Sequence, residues 1–333
     1  MRFRLLGLAC LLVVPLAFAP VASARHAGRT SQTVARAETL PALLARAQAA
    51  FIASDYPTAE ALFAQAAALD PRSAVAWAGK ARSEARMGDD VHAVVDYTSA
   101  IRYAPRNPGY RLRRGLSYDT LEEVPQALAD DTMAIQLAPG YADVYFDRGS
   151  LYYNHEQYTP SLADYTRAIA LRPTWWLAYY YRGENENPLH LFQAAIGDAT
   201  TYIQHTPGAE CDCAYILRGN AYYSLHQYAK ALADYQQAIA IGQPGNAEYF
   251  DCGTAAYHLN LSALAISCFT RAIAFSPSNG QAYYYRGLAR RDSGDRPGAI
   301  ADLKMAVQLY TQQGDVGTAQ AITVVLRQLQ GTA

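Results

Sequence analysis

Residues 142–175 read ADVYFDRGSLYYNHEQYTPSLADYTRAIALRPTW, and this 34-residue pattern repeats along most of the chain. Its most regular mark is a proline at position 32 of the unit, which recurs every 34 residues at Pro71, Pro105, Pro139, Pro173 and Pro207. A fixed period of this length indicates a stack of similar supersecondary units, because one such unit cannot bury its apolar face alone. The period therefore predicts a solenoid with a broad binding surface rather than a catalytic pocket.

Eight units follow from this register, and each of them predicts two antiparallel helices. Apolar or small residues recur at positions 4, 8 and 11 and again at 20, 24 and 27, which places one apolar stripe on each helix. Glycine at position 8 is expected to face alanine at position 20, and the proline at position 32 ends the second helix. The units begin near Leu40, Ala74, Pro108, Ala142, Trp176, Asp212, Asn246 and Gly280.

A ladder of paired residues runs through the same units. Position 7 is cationic and position 23 is aspartate in six units, whereas the seventh unit has Cys252 and Cys268 at these positions. Because both changes fall in one unit, we infer that the two positions touch across the helical hairpin. We expect a disulfide between Cys252 and Cys268, with two buried free thiols as the alternative. The charged pairs are Lys80–Asp96, Arg114–Asp130, Arg148–Asp164, Arg182–Asp198, Arg218–Asp234 and Arg286–Asp302.

Over residues 40–311 this pattern resembles the tetratricopeptide repeat family. The resemblance implies an all-α fold, a right-handed α-solenoid of about eight helix-turn-helix repeats. It also implies a non-enzymatic scaffold that binds a protein or peptide partner. Residues 315–330 predict one more amphipathic helix, which would cap the apolar face of the last repeat.

In this family, positions 2, 5, 9, 12 and 13 of the first helix usually line the concave face, so the resemblance assigns a binding groove to the chain. The groove would be rich in aromatic rings, which supply contact area at low entropic cost, and in amides, which can pair with an extended peptide backbone. Position 5 lacks the lysines and asparagines with which some family members grip a carboxyl terminus, so we do not expect that mode. The predicted partner-binding residues are Phe146, Tyr153, Asn154, Tyr180, Asn187, Asn220, Tyr223, Phe250, Tyr257, His258 and Tyr284.

Residues 184–213 are the least regular part of the array, and the link that ends there carries two inserted residues. The proline of the segment ENENP, residues 184–188, predicts that the first helix of the fifth unit ends at about Asn187. A functional site and a degenerate repeat acting as a flexible joint are both open interpretations. Cys211 and Cys213 are only a weak indication of a metal site. A local disulfide, two free thiols and a disulfide to another chain are the other interpretations.

The N-terminus predicts export. Residues 1–24 have a basic start, an apolar run over residues 5–19 and small residues before a cleavage site after Ala24, as in a secretory signal peptide. The run is shorter than the about 20 residues that span a membrane, so an uncleaved anchor is the less favoured alternative. Residues 25–39 are expected to form a flexible linker. The mature protein would then be periplasmic or secreted and not inserted in a membrane.

Charge and motifs exclude several classes of function. The 28 basic and 29 acidic residues balance and form no strongly basic block, so a nucleic-acid partner is not expected. The sequence has no nucleophile–base motif and no glycine-rich phosphate loop, so we expect neither an enzyme nor a bound cofactor or metal.

Two functions remain. The leading hypothesis is an adaptor that presents a groove to a segment of a partner protein, in envelope assembly or in a secretion system. The alternative is binding of a small ligand or a glycan by the groove, which is rich in tyrosine and asparagine. Homo-oligomerisation through an exposed solenoid face is left open.

Overall fold

The computed structural model describes residues 38–206 and 212–331, so the predicted signal peptide, most of the predicted linker and Cys211 lie outside the described residues. The regular elements in these two ranges are 17 α-helices, which belong to one compact unit. The helices are α1 (Leu40–Ile52), α2 (Tyr56–Leu69), α3 (Ala74–Arg86), α4 (Asp90–Tyr103), α5 (Pro108–Thr120), α6 (Val124–Leu137), α7 (Ala142–Asn154), α8 (Tyr158–Leu171), α9 (Trp176–Glu186), α10 (Phe192–His205), α11 (Asp212–Ser224), α12 (Tyr228–Ile241), α13 (Asn246–His258), α14 (Ser262–Phe275), α15 (Gly280–Asp292), α16 (Arg296–Gln312) and α17 (Val316–Gly331).

The first sixteen helices form eight hairpins in sequence order. Each odd-numbered helix, called here a first helix, packs against the even-numbered second helix that follows it, and each hairpin packs against the next. Every first helix from α1 to α15 begins at the residue predicted as the start of its unit. The predicted all-α solenoid of helical repeats is confirmed.

Each hairpin turns through one residue with a left-handed backbone, at position 15 of its unit. Gly88 and Gly294 adopt this conformation with φ of 83° and 87°, and glycine does so without steric cost. In six units a residue with a side chain takes the same place, which costs about 1–2 kcal/mol. Helix packing must offset this strain at Ser54, Glu122, Glu156, His190, His226 and Asn260.

In the fourth, sixth and seventh units, glycine at position 8 lies against the aromatic ring at position 24 of the same unit. A Cβ atom on Gly253 would lie 2.6 Å from Cε1 of Phe269, and one on Gly219 would lie 2.7 Å from Cε1 of Tyr235. The prediction that this glycine faces alanine at position 20 is therefore incomplete. The ring makes the closest contact, and a larger residue would push it out of the core.

The predicted ladder of charged pairs is confirmed in all six units. Arg148 Nε and Nη2 donate to Oδ2 and Oδ1 of Asp164 at 2.7 and 2.8 Å, and four other arginines hold their aspartates in the same two-point manner. Lys80 donates a single hydrogen bond of 2.6 Å to Asp96. Because the aspartates are buried, each pair joins the two helices of its hairpin from within.

Cys252 and Cys268 occupy the corresponding place in the seventh hairpin. The structure brings their sulfur atoms to bonding distance, with the two Cα atoms 6.0 Å apart across α13 and α14. Both residues are buried in the core of the hairpin. The two positions therefore touch as inferred, and the oxidation state of the pair stays a prediction.

The irregular fifth unit has a shortened first helix. Helix α9 has 11 residues, whereas the other seven first helices have 13 each. Asn187 is its C-cap and Pro188 lies in the turn that follows, which confirms the predicted end of the helix. The segment before α11 lies outside the described residues, and Cys213 lies in the first turn of α11.

Helix α17 follows the last hairpin and packs on α16. Its Ile322 and Leu326 are buried in one cluster with Leu303 and Ala306. The helix thus covers the apolar face that would otherwise end the stack.

Candidate functional site

All the predicted partner-binding residues lie on first helices or directly after one. Most first helices contact the first helix of the next unit, as α7 does with α9 and α13 with α15, whereas second helices of successive units make less contact. The closer side of a curved stack is its inner side. The first helices are therefore expected to line the concave face, as the resemblance implies, and we call the surface that they form the groove.

Glu184, in the middle of this groove, lies beside two of the predicted tyrosines. Tyr153 Oη on α7 donates a hydrogen bond of 3.0 Å to Glu184 Oε2 on α9. Tyr180, one turn before Glu184 on the same helix, lies close enough for its hydroxyl group to influence the carboxyl group. The carboxylate therefore couples the fourth and fifth repeats through the phenol group of Tyr153.

Burial sets the protonation of this group. Desolvation raises the pKa of Glu184, and the hydroxyl groups of Tyr153 and Tyr180 oppose that rise. Burial also raises the pKa of both phenols, and the charge of Glu184 raises them further. The two hydroxyls therefore stay protonated at neutral pH and can donate to the carboxylate or to an incoming acceptor.

Phe146 belongs to an aromatic cluster beside this group. Its ring stacks on Trp175 with centroids 4.3 Å apart and meets Tyr165 and Tyr181 edge-on at 5.3 and 5.6 Å. Tyr181 in turn stacks on Tyr165 at 5.9 Å. Four packed rings make a rigid wall that loses little entropy on binding.

A second aromatic group lies further along the groove, between the sixth and seventh repeats. Tyr223 Oη and His258 Nε2 are 3.0 Å apart, and the His258 ring stacks on Tyr228 with centroids 4.4 Å apart. Burial lowers the pKa of His258, and the charge of His226 lowers it further. A neutral imidazole can accept the hydrogen bond from Tyr223.

The ring of Tyr285 contacts the three remaining aromatic rings among the predicted partner-binding residues. Phe250, Tyr257 and Tyr284 each meet its ring edge-on, at 6.0, 5.8 and 5.3 Å between centroids. All three predicted residues are half-buried, so part of each ring remains open to the groove.

The three predicted asparagines differ in what they can offer a partner. Asn154 is exposed at the end of α7, and Asn220 is exposed although its Oδ1 accepts a hydrogen bond of 2.8 Å from Tyr235. Asn187 Nδ2 donates to the backbone carbonyl of Leu217 at 3.3 Å. Asn187 therefore joins the fifth and sixth repeats, while the other two amides are open to solvent.

Sequence reasoning missed Glu184, Tyr181 and Tyr285. Glu184 stands at position 9 of its unit, one of the family's groove positions, so the resemblance contained the signal for it. Tyr181 and Tyr285 stand at position 6, outside that set. Their role depends on stacking against position 24 of the preceding unit, which no pattern within one unit shows.

The prediction also missed a cleft at the start of the groove. A cavity of about 380 Å³ lies among α1, α2, α3 and α5, where no binding residue was predicted. Phe63 and Tyr110 line it together with Arg82 and Arg113.

In the described ranges, no three histidine, cysteine, aspartate or glutamate side chains are arranged to hold a metal ion. None of the helices in those ranges is both long and apolar enough to cross a bilayer.

Comparison of the sequence with protein families identifies several of the hairpins. Three family models described as tetratricopeptide repeat match residues 142–174, 213–242 and 250–314. These matches fall on the fourth, sixth, seventh and eighth hairpins. No curated protein sequence matches the chain significantly.

Solved structures of repeat proteins share the fold. The C-terminal part of a TPR repeat-containing protein from Cytophaga hutchinsonii is 17% identical with a TM-score of 0.59, over 72% of this chain and 97% of that one. A tetratricopeptide repeat protein from Parabacteroides merdae is 18% identical with a TM-score of 0.53, over 75% and 98%. YrrB, described as a TPR protein with an unusual peptide-binding site, is 20% identical with a TM-score of 0.50, over 57% and 97%. At these identities the likeness shows the fold alone.

Proposed function

Because this chain belongs to the tetratricopeptide repeat family, whose repeats generally mediate contacts between proteins, we propose that it is a scaffold that holds a segment of a partner protein in its groove. The fold typically serves interaction rather than catalysis. The observation that carries the proposal is the hydrogen bond between Tyr153 and Glu184 next to Tyr180, flanked on the same face by further aromatic rings. The peptide-binding site named for the fold neighbour YrrB supports the same kind of role.

The groove offers an extended segment both apolar contact and hydrogen-bonding groups. Half-buried rings such as Phe146 and Tyr257 give apolar contact from side chains that are already packed. Protonated phenols and the exposed amides of Asn154 and Asn220 can pair with backbone groups of the segment. Binding therefore requires little reorganisation of the scaffold.

We propose further that the scaffold acts outside the cytoplasm, in envelope assembly or secretion. The support for export is the sequence of residues 1–24 alone. Mass spectrometry of the protein from its native host tests it. A mature N-terminus at Arg25 is expected, and a chain that keeps Met1 would contradict export by this route.

Affinity capture tests the binding role. The purified protein is exposed to an extract of its host beside a variant with Tyr180→Ala and Tyr257→Ala, both in the groove. The control is Tyr103→Ala, at an exposed tyrosine at the end of the second helix α4. We expect a protein partner that the wild type and the control recover and the groove variant loses, with helicity equal by circular dichroism.

Two results would contradict the proposal. Equal recovery by all three proteins would place the binding surface outside the groove. If none of them recovered a protein while a small molecule or glycan bound saturably and depended on Tyr180, the protein would instead be a small-ligand binder.

A further inference from the structure

The cleft at the start of the groove combines apolar walls with two guanidinium groups. Leu44, Val75 and Tyr110 contribute apolar surface to its volume of about 380 Å³, and Arg82 and Arg113 contribute positive charge. A concave, mostly apolar site with a few placed charges is the usual form of a recognition site.

Arg82 is fixed in place by residues of the first repeat. Its guanidinium carbon lies 3.7 Å from the centre of the Phe51 ring, and Nη2 donates to Gln48 Oε1 at 2.7 Å. Its Nε is buried and has no hydrogen-bond partner. The guanidinium is therefore oriented before any ligand arrives, which lowers the entropic cost of binding an acceptor.

The charged side chains that act on Arg82 are other arginines. Burial lowers the pKa of the Arg82 guanidinium, and the neighbouring charges of Arg113 and Arg86 lower it further. Among the described residues Arg82 forms no ion pair with a carboxylate, and its side-chain hydrogen bond goes to the neutral amide of Gln48. Arg113 is exposed and acts electrostatically on Asp147 of α7. An anion in the cleft would relieve the repulsion among the arginines.

We infer that this arginine cleft receives an aspartate or glutamate side chain of the partner segment, an inference that rests on the proposed function. The planar guanidinium matches a carboxylate through two parallel hydrogen bonds, which a neutral amide cannot replace. The chain's own linker, residues 25–39, is the wrong occupant, because it carries three arginines and one glutamate. Charge complementarity therefore selects an acidic segment of another molecule.

Isothermal titration with two blocked hexapeptides tests the inference. One peptide has two central glutamates and the other has two glutamines at the same places. We expect the wild-type protein to bind the glutamate peptide at least tenfold more tightly, with the difference shrinking at 0.5 M salt because surface charges are screened. Arg82→Gln with Arg113→Gln should abolish the difference, and Arg113→Gln alone should reduce it without touching the Phe51 contact.

The control removes the same charge elsewhere. Arg102→Gln with Arg106→Gln changes two exposed arginines outside the cleft and should preserve the tenfold preference. Equal binding of the two peptides, no binding of either at millimolar concentration, or a preference that survives in the cleft variant would overturn the inference. A wild-type dimer that the cleft variant loses in sedimentation would identify a second copy as the occupant and overturn it as well.

The affinity capture described under the proposed function distinguishes a failure of this inference from a failure of the scaffold role. If the wild type recovers a partner through its groove but does not discriminate the peptides, only the cleft assignment fails. If no partner is recovered while the peptides are discriminated, the scaffold role fails and the cleft remains an anion site.

Discussion

At position 24, where most units carry an aromatic ring, the third unit has Asp131. In the fourth and seventh units this position stacks on position 6 of the next unit, as Tyr165 does on Tyr181 and Phe269 on Tyr285. The residue at position 6 after Asp131 is Asp147. Burial raises the pKa of Asp131 to about 8 and that of Asp147 to about 7, and repulsion from other carboxylates adds to both shifts. The sequence shows that Asp131 departs from the pattern, but not the pairing, which crosses from one unit to the next.

Because of Asp131 and Asp147, we expect the free energy of unfolding to fall as the pH rises. A carboxyl whose folded pKa lies above its unfolded value holds a proton that the unfolded chain has already lost, so stability decreases from about pH 4 to about pH 8. Asp131→Asn should make the protein more stable at pH 8.5 and flatten this decline, by up to about 1.4 kcal/mol per pH unit. Urea unfolding at pH 5 and pH 8.5 measures it, with Asp292→Asn at an exposed site as the control. An unchanged pH dependence in Asp131→Asn would contradict the assignment.

The charged ladder was readable from the sequence because its two positions change together in one unit. How much each charged pair contributes to stability depends on its burial, which only the structure shows. The Asp164 side chain is 8% exposed and that of Arg148 is 18% exposed. By contrast, Arg172 and Asp143 form a pair at 2.7 Å whose side chains are 44% and 35% exposed.

We therefore predict unequal costs for two otherwise similar substitutions. Asp164→Ala leaves a partly buried arginine without its partner and should lower the free energy of unfolding by about 3–5 kcal/mol. Asp143→Ala breaks the exposed pair and should cost about 0–1 kcal/mol. Chemical denaturation of both variants gives the comparison, and equal costs would show that burial does not decide the strength of the pairs.

At the scale of helices, the unit boundaries were predictable because proline, glycine and the apolar stripe repeat with one period. The left-handed residue at position 15 was not, since residues such as Ser54 and Glu122 are poor signals for that backbone conformation. The end of α9 followed from Pro188, whereas the hydrogen bond from Asn187 to α11 required the three-dimensional arrangement of two units.

The hairpin of α13 and α14 gives a test at this scale. If Cys252 and Cys268 form a disulfide, reduction should lower the free energy of unfolding by about 3 kcal/mol for a loop of this length. Cys252→Arg with Cys268→Asp would restore the charged pair of the other units and should make stability insensitive to reductant. Peptide mapping under non-reducing conditions checks the bond itself. Alkylation of both cysteines in the untreated, folded protein would contradict it.

The packing of helix α17 on the last hairpin predicts that detaching this helix would expose the apolar end of the stack. Ile322 is 3% exposed and packs with Leu303, so Ile322→Asp buries an unpaired charge and should detach the helix. We expect lower solubility and a reduced melting temperature, measured by light scattering and calorimetry. Val324→Asp, on the exposed side of the same helix, is the control and should change neither. Equal behaviour of the two variants would show that α17 does not cap the stack.

For the whole molecule, the solenoid followed from the period and the family resemblance, and the location of a binding groove on its first helices stays a prediction. The charge of the groove did not follow from them, because it arises where several units meet. Arg82 comes close to Arg113 only through the stacking of α3 and α5, and Glu184 meets Tyr153 only across α7 and α9. Residues that act between units are invisible to a pattern that describes each unit separately.

Site-specific photo-crosslinking tests the central claim that a partner lies in the groove. A photoreactive phenylalanine derivative would replace Tyr257 on the first helix α13 in one protein and Tyr103 on the second helix α4 in another. Irradiation in the host should join a partner protein to the first variant and leave the second unjoined. Crosslinks from the Tyr103 position without crosslinks from the Tyr257 position would contradict the account and place the partner on the outer face.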